Sequence, residues 1–255
     1  NVDPMGVHTG DSFCVAPMLT ISPELQGRLQ DYAYRIVEAI EVVGGTNVQF
    51  AHDPKTDRVV IIEINPRTSR SSALASKATG FPIARVSAQL AAGLTLDEIP
   101  YWREGTLEKY TPWGDYVVVK FARWAFEKFK GATDRLGTQM KAVGEVMSIG
   151  RTYKEAFQKA IRSLEIGQYG LGFAKDYNER TLEELLQMVA TPSSQRQFQM
   201  YEALRKGASV EELARITRIK PWFIQQMKEL VDLEEQILRY RGKQLPDELL
   251  RQAKK

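Results

Sequence analysis

The fold is decided by the stretch Val59-Val60-Ile61-Ile62-Glu63-Ile64-Asn65, which follows Asn47-Val48-Gln49-Phe50 after the run Asp53-Pro54-Lys55-Thr56-Asp57. The two apolar runs are typical of β-strands, and the run between them is typical of a turn. Together they predict an antiparallel hairpin. Residues two apart on a strand share a face, so Glu63 and Asn65 point the same way, while Ile62 and Ile64 face the opposite layer.

Three oxygen-bearing side chains are expected to meet on this hairpin. Glu63 and Asn65 offer a carboxylate and an amide oxygen, and Gln49 on the neighbouring strand can add a third oxygen. Such hard oxygen ligands suit Mg²⁺ or Mn²⁺. Pro66 ends the strand and directs Arg67 over the same pocket, where a guanidinium can hold phosphate oxygens bidentately. The pattern therefore favours phosphoryl transfer, which needs metals and cations that neutralise charge.

The same pattern also has a purely structural interpretation, in which Glu63 and Asn65 lie on a solvated sheet face. The continuation Arg67-Thr68-Ser69-Arg70-Ser71-Ser72 favours the functional interpretation. Two arginines and several hydroxyls after a buried strand are more typical of an oxyanion site than of a surface loop.

Helices are predicted on both sides of the hairpin. Residues 23–43 have helical spacing, with Ser22 as the N-cap and Gly44-Gly45 as the end of the helix. Further predicted elements are helices at 71–78, 82–92 and 152–164 and a strand at 115–120.

A cluster of glycines, Gly167, Gly170 and Gly172, marks the predicted domain boundary. No strand pattern follows residue 181, and helices are predicted at 182–189, 209–216, 221–240 and 247–255. The fold class is therefore α+β, with a mainly antiparallel sheet and flanking helices over residues 1–165 and an all-α domain over residues 166–255.

The composition of the 255 residues is that of an ordinary globular protein, with 43% hydrophobic and 26% charged residues. The net charge of +3 does not indicate a nucleic-acid or membrane partner. Cys14 is the one cysteine, so it forms no internal disulfide; it fits a reducing compartment and is expected to be a small buried residue. We expect a cytoplasmic location, and we expect the chain to begin inside a larger protein.

Several motifs occur in an order that resembles the large subunit of carbamoyl phosphate synthetase. The resemblance covers most of residues 1–165, and residues 166–255 resemble the family's helical oligomerisation domain more loosely. The motifs are Gly6-Val7-His8-Thr9-Gly10-Asp11-Ser12, Asn47-Val48-Gln49-Phe50, Glu63-Ile64-Asn65-Pro66-Arg67, Ser76-Lys77-Ala78-Thr79-Gly80 and Gly144-Glu145-Val146-Met147-Ser148-Ile149-Gly150-Arg151-Thr152.

This resemblance implies the C-terminal lobe of an ATP-grasp domain. The stretch Ser69-Arg70-Ser71-Ser72-Ala73-Leu74-Ala75 resembles the first of the family's two ATP-grasp halves, which makes carboxyphosphate. The implied metal ligands, for two Mg²⁺ or Mn²⁺ ions per ATP, are Gln49, Glu63 and Asn65. The nucleotide site would be lined by Gly6, Val7 and His8, together with Gln49 and Glu63. The implied catalytic residues are His8 near the transferred phosphoryl group, Arg67 on phosphate or carboxyphosphate, and Arg70 as an assisting group.

The implied enzyme is a glutamine-hydrolysing ATP-grasp ligase of pyrimidine and arginine biosynthesis. Bicarbonate would attack the γ-phosphate of ATP, and ammonia would then displace phosphate to give carbamate. Implied partners are a glutaminase small subunit, the remainder of the large subunit, and a second copy through the helical domain. The family's ATP-grasp also needs an upstream lobe with a glycine-rich loop, so we expect these 255 residues to be silent alone.

Other interpretations stay open from the residues. A biotin-dependent carboxylase would share the Glu-x-Asn-x-Arg pattern but differ after Arg67. A helix-turn-helix at 207–224 would place a DNA-reading face at Trp222, Gln225, Gln226 and Lys228, although the acidic residues that follow would repel phosphate. A stripe through Trp222, Phe223, Leu230, Leu233 and Ile237 would pack within its own domain or against another copy or another domain.

Overall fold

The computed structural model describes residues 1–100, 107, 112 and 114–254. The described chain divides into two units. The first unit comprises Asn1–Pro17 and Tyr116–Lys255, and the second unit is the intervening Met18–Asp115. The predicted boundary between residues 165 and 166 stays a prediction.

The described residues of the second unit form a hairpin and three helices. The hairpin strands are β2 (Asn47–Asp53) and β3 (Arg58–Asn65), as the sequence predicts, and they pair antiparallel. The helices are α1 (Pro23–Ala39), α2 (Arg70–Thr79) and α3 (Ile83–Ala91).

Helix α1 begins as predicted and ends earlier than predicted. The Ser22 side chain accepts a hydrogen bond from the Leu25 N–H, so Ser22 is the N-cap. The helix stops at Ala39 because Glu41 adopts a left-handed φ of 52°, and the Val42 N–H then closes back onto the Val37 carbonyl. This Schellman ending does not need the glycines at 44–45.

The described residues of the second unit contain one small hydrophobic cluster. Its buried members are Val86, Ile99 and Leu107, with Phe81 and Leu90 packed against them. By contrast, two residues at the centre of β3 are exposed, Ile61 by 54% and Ile62 by 44%. The prediction that β3 is a buried strand with Ile62 in the opposite layer is therefore wrong at these two residues.

The first unit contains a three-stranded antiparallel sheet in the order β1-β4-β5. The strands are β1 (Cys14–Ala16), β4 (Val117–Arg123) and β5 (Gly144–Gly150). Helix α4 (Tyr153–Ser163) packs on this sheet, and the Thr152 side chain caps it as predicted. Cys14 is half-buried on β1 rather than fully buried, and it lies opposite Lys120.

The remainder of the first unit is helical, as the sequence predicts for this region as a whole. Its helices are α5 (Leu182–Val189), α6 (Arg196–Arg205), α7 (Val210–Thr217), α8 (Pro221–Leu238) and α9 (Asp247–Ala253). Helix α6 is not among the predicted helices. The predicted last helix extends to Lys255, which lies outside the described residues.

A single hydrophobic core joins the sheet and the helices of the first unit. The rings of Phe13, Phe121 and Phe157 stack at its centre, with centroids 5.1 to 5.9 Å apart. Phe223 of α8 also lies in this core, so this residue of the predicted stripe packs within its own unit. None of the described helices combines the length and apolarity that a membrane crossing requires.

Candidate functional site: an oxygen cluster and a histidine turn

The three predicted metal ligands lie together at one end of the hairpin. Gln49 pairs with Glu63 across the two strands, and Asn47 pairs with Asn65. Oε1 of Glu63 accepts hydrogen bonds from Gln49 Nε2 at 2.8 Å and from Asn65 Nδ2 at 3.0 Å. Glu63 and Asn65 therefore share a face, as the strand alternation predicts. We call Gln49, Glu63 and Asn65 the oxygen cluster.

A β-bulge lies directly beside the oxygen cluster. Gln49 pairs with Glu63, but the next residue, Phe50, pairs with Ile61. Ile62 is therefore an extra residue on β3, opposite no partner. Bulges of this kind occur next to functional sites, where they redirect side chains. Here the bulge separates the polar end of the hairpin from the rest of the ladder.

The chemistry of the oxygen cluster fits a hard divalent cation. It has one carboxylate and two amide groups, and its two hydrogen bonds fix both amides around Glu63. Among the described residues no group of three or more His, Cys, Asp and Glu side chains could hold a metal. A cage made entirely of protein carboxylates is therefore absent from the described part of the chain. Mg²⁺ is commonly held by one or two carboxylates together with water and substrate phosphates, which agrees with this set.

Two arginines follow the oxygen cluster. The Arg67 N–H donates to the Asn65 carbonyl at 2.8 Å, which closes a tight turn around Pro66. The Arg67 side chain is exposed, and within the described residues no carboxylate forms an ion pair with it. Arg70 is the exposed first residue of α2. A capping box between Ser69 and Ser72 holds this helix start in place.

The histidine turn, residues 6–12, belongs to the first unit. Its start needs glycine, because Gly6 adopts a φ of +106°, and Val7 beside it is buried. His8 Nδ1 accepts a hydrogen bond from the Gly10 N–H at 2.9 Å. Because Nδ1 is the acceptor in this hydrogen bond, it carries no proton, and Nε2 is the nitrogen that carries the ring proton.

Backbone hydrogen bonds also hold His8 in place. The His8 N–H donates to the Gly137 carbonyl at 2.8 Å. The His8 carbonyl accepts from the N–H groups of Asp11 and Ser12 at 2.9 and 3.1 Å. Only Nε2 of His8 has no hydrogen-bond partner among the described residues.

Two buried charges anchor the histidine turn, and sequence reasoning assigned a role to neither. Asp11 is 1% exposed, and its carboxylate accepts from Trp124 Nε1 and from the backbone N–H groups of Lys141 and Ala142. Lys120 is 8% exposed and donates to carbonyls of the turn. A lysine inside the apolar run 117–122 is the sequence signal that points to such an anchor.

The predicted site residues thus fall in both units. The second unit brings together Gln49, Glu63 and Asn65 and places Arg67 and Arg70 directly after them. The predicted nucleotide-site residues Gly6, Val7 and His8 lie in the first unit.

A cavity of about 340 Å³ in the first unit contains none of the predicted site residues. It is lined by aromatic and aliphatic side chains together with polar and charged ones. Its lining includes Phe121, Trp124, Phe126, Phe198, Arg123 and Lys175.

The helix-turn-helix interpretation receives no support from the side chains of α8. Lys228, a predicted groove-facing cation, forms an ion pair with Asp232. Trp222 packs against Tyr153, with ring centroids 5.3 Å apart. Both side chains therefore have intramolecular partners.

Two protein-family models match the chain. The model described as "Carbamoyl-phosphate synthase L chain, ATP binding domain" matches residues 1–99. The model described as "Carbamoyl-phosphate synthetase large chain, oligomerisation domain" matches residues 145–255. With the α+β fold, these matches define the class of protein as one that carries the ATP-binding and oligomerisation domains of a carbamoyl phosphate synthase large chain, and the predicted fold class is confirmed.

Curated relatives make the family plain. The chain is 53% identical to the carbamoyl phosphate synthase large chain of Archaeoglobus fulgidus over all of its length and 24% of the relative's. It is 51% identical to the N-terminal section of that large chain in Methanopyrus kandleri, over 98% of this chain and 44% of the relative. The chain belongs to the carbamoyl phosphate synthase large-chain family. It spans less than half of the length of these relatives.

Solved structures show more distant likenesses. A Rhizobium etli pyruvate carboxylase has a TM-score of 0.45 and 16% identity, over 62% of this chain and 20% of that one. The biotin carboxylase domain of Hydrogenobacter thermophilus 2-oxoglutarate carboxylase has a TM-score of 0.43 and 14% identity, over 63% of this chain and 43% of that one. Likenesses this distant do not bear on function.

Proposed function

We propose that this chain supplies the metal-binding end of the ATP site that phosphorylates bicarbonate in a carbamoyl phosphate synthase large chain. The observation that carries the proposal is the oxygen cluster, in which one carboxylate and two amides meet at 2.8 and 3.0 Å beside an exposed arginine. The match of residues 1–99 to the ATP-binding domain of the family supports ATP as the ligand.

The oxygen cluster would hold one or two Mg²⁺ or Mn²⁺ ions. A divalent cation at this position supplies positive charge that neutralises the phosphate oxygens of ATP as the γ-phosphoryl group is transferred. Glu63 contributes the negative charge that selects a cation. Gln49 and Asn65 hold the Glu63 carboxylate in a fixed direction through their amide groups.

The remaining residues would bind the transferred group. The exposed Arg67 guanidinium can pair bidentately with phosphate or with carboxyphosphate, and Arg70 at the start of α2 can assist it. His8 would donate the Nε2 proton to a phosphoryl oxygen, because its Nδ1 already accepts the Gly10 N–H. Gly6 and Val7 would line the nucleotide site at the start of the histidine turn.

The wider reaction belongs to the same proposal. Carboxyphosphate would react with ammonia to give carbamate, with the ammonia delivered by a glutaminase small subunit. Carbamate would be converted to carbamoyl phosphate, which would be used for pyrimidine and arginine synthesis in the cytoplasm. Residues 145–255 would mediate self-association, in agreement with the oligomerisation model that they match.

The test is the substitution Glu63→Gln in a large chain that contains these residues, with Glu38→Gln as the matched control. Glu38 is an exposed acid in the same unit and is not part of the oxygen cluster. We expect Glu63→Gln to lower bicarbonate-dependent ATP hydrolysis about 100-fold, because such electrostatic stabilisation is commonly this large. The concentration of Mg²⁺ needed for half-maximal activity should rise as well.

Circular dichroism should show that both variants are folded, and Glu38→Gln should keep full activity. If Glu63→Gln retains activity within twofold and needs no additional Mg²⁺, the oxygen cluster does not bind the catalytic metal.

A further inference from the structure

Lys120 is a buried cation whose charge is directed at the histidine turn. It lies at the centre of β4 and is 8% exposed. Its Nζ donates to the carbonyl of Ser12 at 2.8 Å and reaches those of Thr9 and Gly10 at 3.5 Å each. Among the described residues no carboxylate forms an ion pair with it. A buried ammonium needs such acceptors, so three backbone carbonyls take the place of a counter-ion.

One peptide group connects Lys120 to the imidazole of His8. The Thr9 carbonyl and the Gly10 N–H belong to the same planar trans peptide, in which the two groups point in opposite directions. When the carbonyl faces Lys120 Nζ, the N–H faces the other side of the turn. There it donates to His8 Nδ1 at 2.9 Å.

The shape of the turn leaves little freedom at this peptide. A Cβ on Gly10 would lie 2.5 Å from Met140 Sδ and 3.1 Å from His8 Nδ1, so a larger residue there would have to displace the Met140 side chain. Asp11 follows Gly10 in the chain, and it is held in place by its buried carboxylate, which accepts from the N–H groups of Lys141 and Ala142. Lys120 Nζ lies on the carbonyl side of the Thr9–Gly10 peptide, opposite the side on which the Gly10 N–H meets His8 Nδ1.

We propose that Lys120 is a positioning residue that acts through the Thr9–Gly10 peptide and sets the tautomer of His8. By attracting the Thr9 carbonyl it presents the Gly10 N–H to Nδ1, which places the ring proton on Nε2. His8 is then a hydrogen-bond donor toward an anionic oxygen. The identity of that oxygen as a phosphoryl oxygen rests on the proposed function.

The tautomer can be measured on the 255-residue chain itself. The sequence has only two histidines, His8 and His52, so long-range ¹H–¹⁵N spectra of the imidazoles contain only two patterns. We expect wild-type His8 at neutral pH to carry its proton on Nε2 alone. Lys120→Met should give an averaged pattern in which both nitrogens are partly protonated.

Two controls accompany this measurement. His52 bonds to Asp57 and should keep its pattern in every variant, which makes it an internal reference. Lys159→Met is the matched control, because Lys159 also donates to a backbone carbonyl, that of Ile149, but is exposed. It should leave His8 unchanged. Lys120→Gln keeps a donor without the charge and provides a second variant if Lys120→Met does not fold.

The inference is overturned if wild-type His8 carries its proton on Nδ1, or if the folded Lys120 variants leave its pattern unchanged. The first of these outcomes is measured on the wild-type protein, so it can be observed even if no variant folds.

Kinetics in the large chain separate positioning from a general loss of structure. We expect Lys120→Met to lower kcat for bicarbonate-dependent ATP hydrolysis about tenfold, with the KM for ATP within about twofold. In a His8→Ala background the same change should cost less than about twofold, because residues that act through one another are not additive. Equal losses in both backgrounds would show that Lys120 does not act through His8.

The same assays distinguish failure of the inference from failure of the proposed function. If His8→Ala alone leaves activity unchanged while Lys120→Met still alters the tautomer, the proposed role of His8 fails and the positioning role of Lys120 stands.

Discussion

The two units of the molecule differ in how they hold polar groups. In the first unit a continuous core extends from Val2 to Val231, and the histidine turn is attached to it by the buried charges of Asp11 and Lys120. In the second unit the described residues form only a small hydrophobic cluster, and the oxygen cluster lies on a hairpin whose central isoleucines are exposed.

This difference shows that the histidine turn and the oxygen cluster, each within its own unit, meet different requirements. A histidine that must present one nitrogen in one tautomer needs every other polar atom fixed, and burial provides that because unpaired groups are costly there. A metal site that also accepts water and phosphate needs oxygens that remain accessible. Exposure of the oxygen cluster is therefore consistent with its proposed ligands.

The largest predicted effect tests the contrast between the two cores. Phe157 is 1% exposed and stacks with Phe13 and Tyr153, so Phe157→Ala should cost about 4 kcal/mol of unfolding free energy. Ile62→Ala should cost less than about 1 kcal/mol, because exposed side chains bury little apolar area. Urea unfolding followed by circular dichroism measures both, and equal losses would break the contrast.

A somewhat smaller effect is predicted for the anchor of the histidine turn. Asp11→Asn replaces an acceptor of several hydrogen bonds with a group that is partly a donor, leaving N–H groups of Lys141 and Ala142 poorly paired. We expect a loss of about 3 kcal/mol, since each unpaired buried group costs about 1–3 kcal/mol. The control Asp115→Ala, at an exposed acid, should change the stability by less than about 0.5 kcal/mol. A similar loss in both variants would show that Asp11 is not an anchor.

The smallest predicted effect concerns the tip of the hairpin in the second unit. Hydrogen bonds from Arg28, and then from His52, hold the pKa of the Asp57 carboxyl well below its usual range. A depressed folded-state pKa contributes stability above the unfolded value of about 3.9, and that stability is lost as the pH falls through the folded-state pKa. The contribution is small because the pair is exposed.

Thermal unfolding of wild type and Asp57→Asn at pH 6 and at successively lower pH measures this contribution. The difference in Tm between the two proteins should be largest at pH 6 and should shrink below about pH 4. A difference that grows on acidification would contradict the direction of the pKa shift.

Much of the second unit could be predicted from the sequence. The hairpin, the N-cap at Ser22 and the shared face of Glu63 and Asn65 follow from local patterns of turn residues and strand alternation. The bulge at Ile62 could not be predicted, because it depends on how two strands align rather than on either strand alone.

The first unit was harder to predict where contacts are long-range. Every residue of α6 from Arg196 to Leu204 is buried, so the helix has no exposed face and its sequence shows no amphipathic pattern. Its buried Arg196 is paired instead with the Val189 and Thr217 carbonyls. The anchoring role of Lys120 was missed for the same reason, because its partners lie far away in the sequence.

The pairing of β1 with β4 has a consequence for the order in which parts of the chain can fold during synthesis. Lys120 and its partner Ser12 are separated by 108 residues, and the whole second unit is synthesised between them. During synthesis, residues 1–17 have no sheet partner until β4 emerges from the ribosome, whereas the second unit can begin to fold before then. The histidine turn is therefore synthesised before the second unit, yet it can reach its final shape only after the strand that carries Lys120 has been added.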